Sequence, residues 1–200
     1  MKIIDISHEL LQAPVYPGDP VPSLEPLSRI ALGDACNLTA AHLCLHNATH
    51  ADAPLHFLED EADIASLPLE PFLGTCQVMT VTGLLTGADM ERLVPTGCKR
   101  LLLRGLGKAF LTQSAAFVLA DLGVRLVGTD APSIGSQEDE AAPHKELLGA
   151  GVMILEGLSL SQVKDGAYFL IAPPVKIAQA DGAPVRALLL DQFFCFSNDA

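Results

Sequence analysis

The sequence has few aromatic residues and few positive charges, and both shortages narrow the possible functions. Tryptophan is absent and aromatic residues make up 5% of the 200 residues, so a strongly aromatic pocket would have to borrow side chains from a second subunit. Twelve basic residues face 24 acidic ones, which gives a formal net charge of −12. Such a charge repels phosphate backbones and anionic membrane surfaces. We therefore expect no nucleic acid and no membrane among the partners, and we expect a homo-oligomer, a dimer or a tetramer.

Long apolar runs and paired cysteines are also missing. Runs such as Ala187–Leu190 fall far short of the ~20 residues that cross a bilayer. The segment Met1–Glu9 meets charged residues too early for an export signal. The five cysteines are widely scattered, without the close spacing that binds zinc or exchanges disulfides. These features predict a cytoplasmic protein with reduced, buried thiols.

The composition that remains is that of one folded domain. Half of the residues are hydrophobic and 18% are charged, so we expect a single core and a single domain over residues 1–200. Short apolar segments alternate with segments of helical spacing, which favours an α/β fold with a mixed sheet. The predicted strands are Lys2–Ile6, Gln77–Val81, Arg100–Leu103, Arg125–Gly128, Val152–Leu155, Tyr168–Ala172 and Arg186–Leu190. The predicted helices are Ala88–Leu93, Gln113–Leu122 and His144–Ala150, and the predicted loops are Pro14–Pro26, Ser136–Glu140 and Ala172–Pro174.

Histidine is concentrated in one short segment. Four of the six histidines lie within fifteen residues, and three of them, His46, His50 and His56, are joined there by Asp52. Imidazole and carboxylate groups are good ligands for zinc and similar divalent ions. The alternative is that each histidine is an ordinary polar or core residue, an explanation that weakens for the cluster as a whole. His42 and His8 are assigned no role.

The spacing of these residues restricts the backbone that could bring them together. His50 and Asp52 are two residues apart and would share one face of a strand. On a straight strand His46 would lie ~13 Å from His50, so the chain must turn between them. A continuous helix is excluded because Asp52 and His56 would point away from the other two, and because Pro54 removes a backbone donor. The segment is therefore predicted to be a bent strand followed by a loop.

The segment from His46 to His56 resembles the His-x-Gly-Thr-His-x-Asp-x-Pro-x-His signature of the cyclase family, which includes bacterial kynurenine formamidases and isatin hydrolases. Other segments extend the resemblance over nearly the whole chain. Tyr16–Asp19 is similar to the family's aromatic-Pro-Gly-Asp stretch, and His144–Leu148 with Ile154–Leu158 is similar to its His-x-x-Leu-Leu…Ile-Leu-Glu-Gly/Asn-Leu run. Gly182–Ala187 is similar to a C-terminal segment of the family, to which we assign a structural role.

Two positions depart from the family pattern. Ala48 stands where the family usually has glycine, so a backbone with φ > 0 would be strained there, or the turn would differ. Lys145 replaces the second residue of a common double histidine, while His144 keeps the first.

The resemblance implies a fold and a ligand set. The fold would be a swivelling β/β/α domain with a mixed sheet and flanking helices. His46, His50 and Asp52 would bind one divalent ion, and Asp52, His144 and Glu156 a second, with bridging carboxylates. The two ions would be zinc, with manganese as the alternative. Without the resemblance, two interpretations of Glu156 are equally good: at the end of a predicted strand, its carboxylate faces either solvent or a crevice. His144 is then interpreted as a surface residue near a helix N-cap.

The resemblance also implies a reaction, namely hydrolysis of an amide. A metal lowers the pKa of bound water from 15.7 to roughly 7, and the resulting hydroxide would attack the carbonyl while His56 shuttles a proton to the leaving nitrogen. His56 could instead be a further metal ligand or a support for one. Tyr16 offers a face on which an aryl group would stack, or it packs on the rim of the site.

The substrate predicted first is N-formylkynurenine or a similar aryl formamide. Cyclic amides such as isatin, lactones, a lyase or cyclase reaction, and a metal-binding domain without catalysis are the alternatives.

Overall fold

The computed structural model describes residues 2–191. In chain order its elements are β1 (Lys2–Asp5), β2 (Ser23–Ser28), β3 (Leu38–His42), β4 (His50–Asp52), β5 (Leu73–Thr80), β6 (Gly83–Leu85), α1 (Gly87–Leu93), β7 (Arg100–Arg104), β8 (Ala109–Leu111), α2 (Gln113–Asp121), β9 (Leu126–Thr129), α3 (Ala141–Gly149), β10 (Met153–Glu156), β11 (Gly166–Ile171), β12 (Gly182–Pro184) and β13 (Leu188–Asp191). Short 3-10 turns include Pro54–His56, directly after β4.

A nine-stranded mixed sheet dominates the fold, in the order β1-β13-β11-β5-β7-β9-β10-β4-β12. The central strands β5, β7, β9 and β10 are parallel, and the flanking pairs are antiparallel. Continuous apolar runs such as Leu101–Leu103 form the central strands because both faces of a parallel sheet are covered. The mixed α/β fold predicted from the sequence pattern and the swivelling β/β/α architecture implied by the resemblance are both confirmed.

The sheet separates two hydrophobic cores. Alternation along β7 shows the division, because Leu102 enters the core enclosed by the curled sheet while Leu101 and Leu103 enter the core beneath the helices. On β10, Leu155 belongs to the first core and Ile154 to the second. A side chain two residues beyond Ile154 therefore faces the helices, and this is where Glu156 lies.

The predicted elements are all present, and their boundaries differ from the predicted ones by at most four residues. The prediction of a loop over Pro14–Pro26 is wrong at its end, because β2 begins at Ser23. Pro26 is tolerated since β2 pairs on one side only, and the pairing is irregular between Pro26 and Ser28.

Strands β2 and β3 form a separate two-stranded sheet. We refer to residues 23–42, which comprise this hairpin and its connection, as the arm. Its apolar side chains are exposed, with Leu24 at 54% and Leu32 at 80%, joined by Leu27, Ile30 and Leu38. An isolated hairpin of this kind is only marginally stable in water, so the arm is the part of the fold with the least internal support.

The cysteines do not all lie where they were expected. Cys76 is buried, and burial raises the pKa of its thiol to about 12. Cys36 is exposed, contrary to the expectation of buried thiols, because it lies on the arm. Cys195 lies outside the described residues. Over residues 2–191, none of the helices has the length and apolar character that a membrane crossing requires.

Candidate active site

Three polar side chains share one face of the sheet at the junction of β4 and β10. His50 and Asp52 alternate with Ala51 on β4, as their spacing predicted. In the antiparallel pairing, Glu156 lies opposite His50, and Ile154 lies opposite Asp52. All three polar residues are buried, on the side of the sheet that carries the helices.

A tight turn before β4 brings His46 back toward these residues. Ala48 has φ of 57°, a left-handed conformation that costs a residue with a β-carbon about 1–2 kcal/mol. The turn predicted between His46 and His50 is therefore present, and Ala48 is strained in it. Its carbonyl accepts a hydrogen bond from Nδ1 of His50 at 3.0 Å. Gly157 passes close behind the turn with φ of 60°, and a β-carbon there would lie 2.1 Å from the oxygen of Ala48.

Helix α3 supplies His144 to the same cluster. Its Nε2 lies 3.0 Å from Oε1 of Glu156 and 3.6 Å from Oδ2 of Asp52, while Nδ1 donates to the carbonyl of Glu140 at 2.6 Å. His144 is 1% exposed, so its interpretation as a surface residue near an N-cap is wrong. Helix α3 begins at Ala141, which places His144 within the helix and on its buried face.

His46 lies between two carboxylates. Its Nδ1 is 3.0 Å from Oδ1 of Asp52, and its Nε2 is 3.0 Å from Oδ2 of Asp181. His56, on the turn after β4, stacks on the His46 ring at 3.9 Å and places Nδ1 at 3.3 Å from the same Asp181 oxygen. Gly182 permits this approach, because a β-carbon at its position would lie 2.6 Å from Cε1 of His46.

Asp181 and Phe57 belong to the site but were not among the residues predicted from the sequence. Asp181 directly precedes the segment Gly182–Ala187, which was assigned only a structural role, and it reaches the site because β12 pairs with β4. Phe57 directly follows the signature segment, and its ring stacks on that of His144 at 4.3 Å. The signal available in the sequence was adjacency to a segment already singled out.

The donor set fits a divalent cation. Because Nδ1 of His50 donates to a carbonyl, a cation that displaces the second ring proton would meet the lone pair on Nε2, which faces Asp52 Oδ1 and Glu156 Oε2, each 3.4 Å away. Nε2 of His50 and Oδ2 of Asp52 are buried, and neither finds a hydrogen-bond partner within residues 2–191. Two ligand atoms held ~2.0–2.1 Å from one tetrahedral ion are ~3.3–3.4 Å apart. Lone pairs facing one another at this spacing are stabilised by a shared positive charge.

The described residues contain two triads of donor atoms that could each hold an ion. One triad is His46, Asp52 and His56, and the other is His50, Asp52 and Glu156. Asp52 belongs to both, as the resemblance implied, but His50 joins the second triad rather than the first. His144 lies beside the second triad through its contact with Glu156.

The pKa values distinguish His56 from the other imidazoles. Burial lowers the pKa of His50, but the carboxylates of Asp52 and Glu156 outweigh it and raise this pKa to about 10. The pKa of His144 is raised to about 9, since Glu156 and Asp52 likewise outweigh burial. For His56, burial and the neighbouring His46 outweigh Asp52 and Asp181, and its pKa is lowered. Near neutrality His56 therefore presents a free lone pair that can accept a proton.

These residues line an open cavity of about 360 Å³. Tyr16 and Phe57 contribute aromatic surface to it, and the hydroxyl of Tyr16 donates to a carboxylate oxygen of Glu140 at 3.2 Å. The full lining is Tyr16, Asp19, Cys44, His46, His50, His56, Phe57, Pro132, Glu140, His144, Glu156 and Asp181. The structure thus brings all the sequence-predicted site residues together.

Comparison with known proteins agrees with the site. A kynurenine formamidase from Delftia acidovorans is 37% identical to this chain, and the match covers 94% of this chain and 97% of that protein. A solved structure described as a potential metal-dependent hydrolase with cyclase activity superposes with a TM-score of 0.85 at 30% identity, covering 96% of this chain and 99% of the other. Isatin hydrolase A from Labrenzia aggregata, at 23% identity, shares the fold with a TM-score of 0.79 over 94% of this chain and 93% of its own.

The fold and the buried set of imidazoles and carboxylates define a metal-dependent hydrolase, and the chain is an enzyme of the amidohydrolase class. A family model described as "Putative cyclase" matches residues 4–136. The chain belongs to the cyclase family, as the resemblance of its motifs indicated.

Proposed function

We propose that this enzyme hydrolyses an aryl formamide, with N-formylkynurenine as the first compound to test. The observation that carries the proposal is the unpartnered Nε2 of His50 facing two carboxylates at the wall of a cavity that also presents aromatic rings. A cavity of about 360 Å³ is within the usual size range for small-molecule sites. The 37% identity to a kynurenine formamidase supports the choice of a formamide.

The proposed metal ligands are His46, His50, Asp52, His144 and Glu156. Divalent ions bound there would polarise the substrate carbonyl and lower the pKa of water to roughly 7. Zinc is the first choice and manganese the alternative, since mixed imidazole and carboxylate ligands accept either. We propose two ions because Asp52 belongs to both triads of donor atoms.

His56 is the proposed proton shuttle. With Nδ1 donating to Asp181, its basic lone pair lies on Nε2. The ring is half-buried and borders the cavity, so it can accept a proton from the attacking water and return it to the leaving nitrogen. Protonating that nitrogen is required because an amide anion is a very poor leaving group. Asp181 keeps the ring oriented, as a carboxylate does for a catalytic histidine elsewhere.

Tyr16 and Phe57 are proposed to bind the aryl group. Aromatic contacts of this kind are worth about 0.5–1.5 kcal/mol beyond the burial of area. The hydrogen bond from Tyr16 to Glu140 fixes the tyrosine relative to α3 and so relative to His144. The substrate ring would therefore be held in a defined position relative to the ligand cluster. The bound ring would also keep bulk water away from that cluster.

The decisive experiment is metal analysis of the purified wild type beside His144→Ala and Glu156→Ala, coupled to hydrolysis of N-formylkynurenine. We expect about two ions per wild-type chain, as five protein ligands shared by two ions leave room for water. Both variants should lose metal and most of their turnover. His42→Ala and Glu91→Ala are matched controls, since both side chains are exposed and lie away from the cavity.

Full metal occupancy in the two variants would remove these residues from the site. One tightly held ion per chain and no turnover of a formamide would contradict the two-ion site and the proposed substrate. Isatin and a simple lactone belong in the same panel, because loops rather than ligands set specificity.

We also propose that the arm packs against a second copy of the chain. Its apolar side chains are exposed on a hairpin that residues 2–191 leave uncovered, and patches of this kind mark interaction sites. The net charge of −12 argues against an anionic membrane or nucleic acid as the occupant. Location in the cytoplasm stays a prediction.

A further inference from the structure

The wall of the cavity carries acidic side chains beyond the proposed metal ligands. Asp19, Glu140 and Asp181 line it together with Glu156. Within residues 2–191, the lining includes neither lysine nor arginine. Nε2 of His50, another lining residue, is buried and finds no hydrogen-bond partner among the described residues, so the cavity is a ligand site by an observation separate from its charge. Apart from the imidazoles of the proposed metal site, the lining offers a bound molecule carboxylates and no basic side chain.

The carboxylate of Glu140 is fixed in place at this wall. One of its oxygens accepts the hydroxyl hydrogen of Tyr16 at 3.2 Å, and its backbone carbonyl accepts from Nδ1 of His144 at 2.6 Å. Both contacts lie at the start of α3, and the residue is only half-buried. The negative charge is therefore held beside the ring that is proposed to bind the aryl group, rather than free to swing into solvent.

Asp19 adds a second charge to the part of the wall that carries Tyr16. It closes the turn Tyr16–Asp19, in which its N–H donates to the carbonyl of Tyr16 at 3.0 Å. Gly18, with φ of 103°, makes the turn possible. Two carboxylates thus act on Tyr16, and neither belongs to the proposed ligand set.

These carboxylates act on Tyr16 itself. Burial and the charge of Glu140 raise the pKa of the Tyr16 hydroxyl, with further contributions from Glu156 and Asp19.

We propose that this cavity selects aryl formamides that carry a cation remote from the formamide and rejects those that carry an anion, with Glu140 as the main specificity-determining residue. An ammonium group beside Tyr16 would interact with the carboxylates and with the face of the aromatic ring. A carboxylate in the same position would face like charges and find neither lysine nor arginine among the described residues that line the cavity. The inference rests on the proposed function and narrows it to a charge class of substrate.

The experiment compares N-formylkynurenine with two analogues that each lack one of its charges. The decarboxylated analogue keeps the ammonium, the deaminated analogue keeps the carboxylate, and formanilide serves as the uncharged reference. We expect kcat/KM to fall in the order decarboxylated, parent, deaminated, with about tenfold between the ends, as for a charge pair several ångströms apart near a protein surface. High salt should reduce the span because these charges are partly exposed.

Glu140→Gln should reduce the ratio of kcat/KM between the cationic and anionic analogues to about twofold, by removing the nearest charge. The ratio is taken within one variant, so any general loss of turnover cancels. Glu138→Gln is the matched control, because it removes an equal charge from an exposed residue that does not line the cavity. Asp19→Asn provides a second variant, with a smaller reduction expected.

The possible results separate the two proposals. Hydrolysis of formanilide with no preference for the cation, or with the reverse order, would overturn the charge selection and leave the formamidase activity standing. If no formamide is hydrolysed, the proposed function fails, and calorimetric binding of the two charged analogues to the metal-loaded enzyme then decides the charge selection. Tighter binding of the cation would support it, and equal or tighter binding of the anion would overturn it.

Discussion

The arm and the candidate active site both depart from the usual distribution of side chains, in opposite directions. The arm exposes leucines, with Leu32 at 80%, whereas the site buries charged groups, with Asp52 at 0%. Exposed apolar patches and buried charges are the two departures that indicate binding. Each departure therefore indicates a different kind of partner. Buried imidazoles and carboxylates indicate a cation, and an exposed apolar hairpin indicates another protein surface.

The two regions also differ in how they are held. The arm is stabilised by contacts close in sequence, such as Glu25 with His42 at 2.9 Å and Arg29 with Asp34. The site depends on contacts between distant segments, including His46 with Asp181 and His144 with Asp52. Substitutions in the site should therefore affect the whole fold or its chemistry, whereas substitutions in the arm should affect association.

The largest effect is expected for His56→Ala. Loss of a general acid–base group should lower kcat by about 10²–10⁴-fold, with metal content unchanged. Steady-state kinetics and metal analysis of the same sample provide the measurement. His42→Ala, which removes a histidine of the arm, should leave kcat near the wild-type value. A loss of metal that parallels the loss of activity would instead make His56 a ligand.

Gly157→Ala should lower the free energy of unfolding by about 3 kcal/mol, because it adds left-handed strain to a steric clash with Ala48. Gly33→Ala in the arm is the matched control, since its φ is 98° but a β-carbon would meet nothing within 4 Å. Strain alone should cost it about 1–2 kcal/mol. Denaturant unfolding of both variants tests the difference, and equal losses would contradict the close packing behind the site.

Leu24→Glu combined with Leu38→Glu should weaken self-association by about 2 kcal/mol, since both leucines are already about half-buried and burying the rest of each contributes about 1 kcal/mol. Sedimentation velocity over a range of concentrations would show the shift toward the monomer. Leu84→Glu, at a leucine that is also 54% exposed but lies on β6, should leave the distribution unchanged. If the arm variant and the control behave alike, the arm is not the interface.

The smallest effect is expected for Ala48→Gly, which should stabilise the protein by about 0.5–1 kcal/mol. Glycine removes the left-handed strain of about 1–2 kcal/mol but loses more conformational entropy on folding. Thermal unfolding at constant metal content measures the change. A decrease in stability would mean that the methyl group of Ala48 contributes more through packing than it costs in strain.

The sequence predicted the parts of the fold that carry a local signal. Strands such as β7 were found because Leu101–Leu103 is a run buried on both faces. The three-residue strand β12 is too short for a periodic pattern, and it exists because β4 pairs with it. Strand β2 was obscured by Pro26, whose loop signal is overridden by pairing with β3.

In the candidate site, too, the residues that could be predicted are those with a local signal in the sequence. His46, His50, Asp52 and His56 could be grouped from their spacing, and the resemblance added His144 and Glu156. Asp181 could not be found in this way, because it lies 125 residues from His56 in the chain and meets it only through the pairing of strands. Burial of His144 was likewise invisible, since it depends on which face of α3 meets the sheet.

Strand β4 spans only three residues, yet it lies between β10 and β12 and pairs with both. A slip of one residue would turn His50 and Asp52 into the enclosed core and put Ala51 in their place. An ion would therefore bind only when β4 is paired in the correct register. Because its ligands lie on β4, β10 and α3, the ion would connect these three elements near the edge of the sheet. Strands at that edge would otherwise be the first to separate during unfolding.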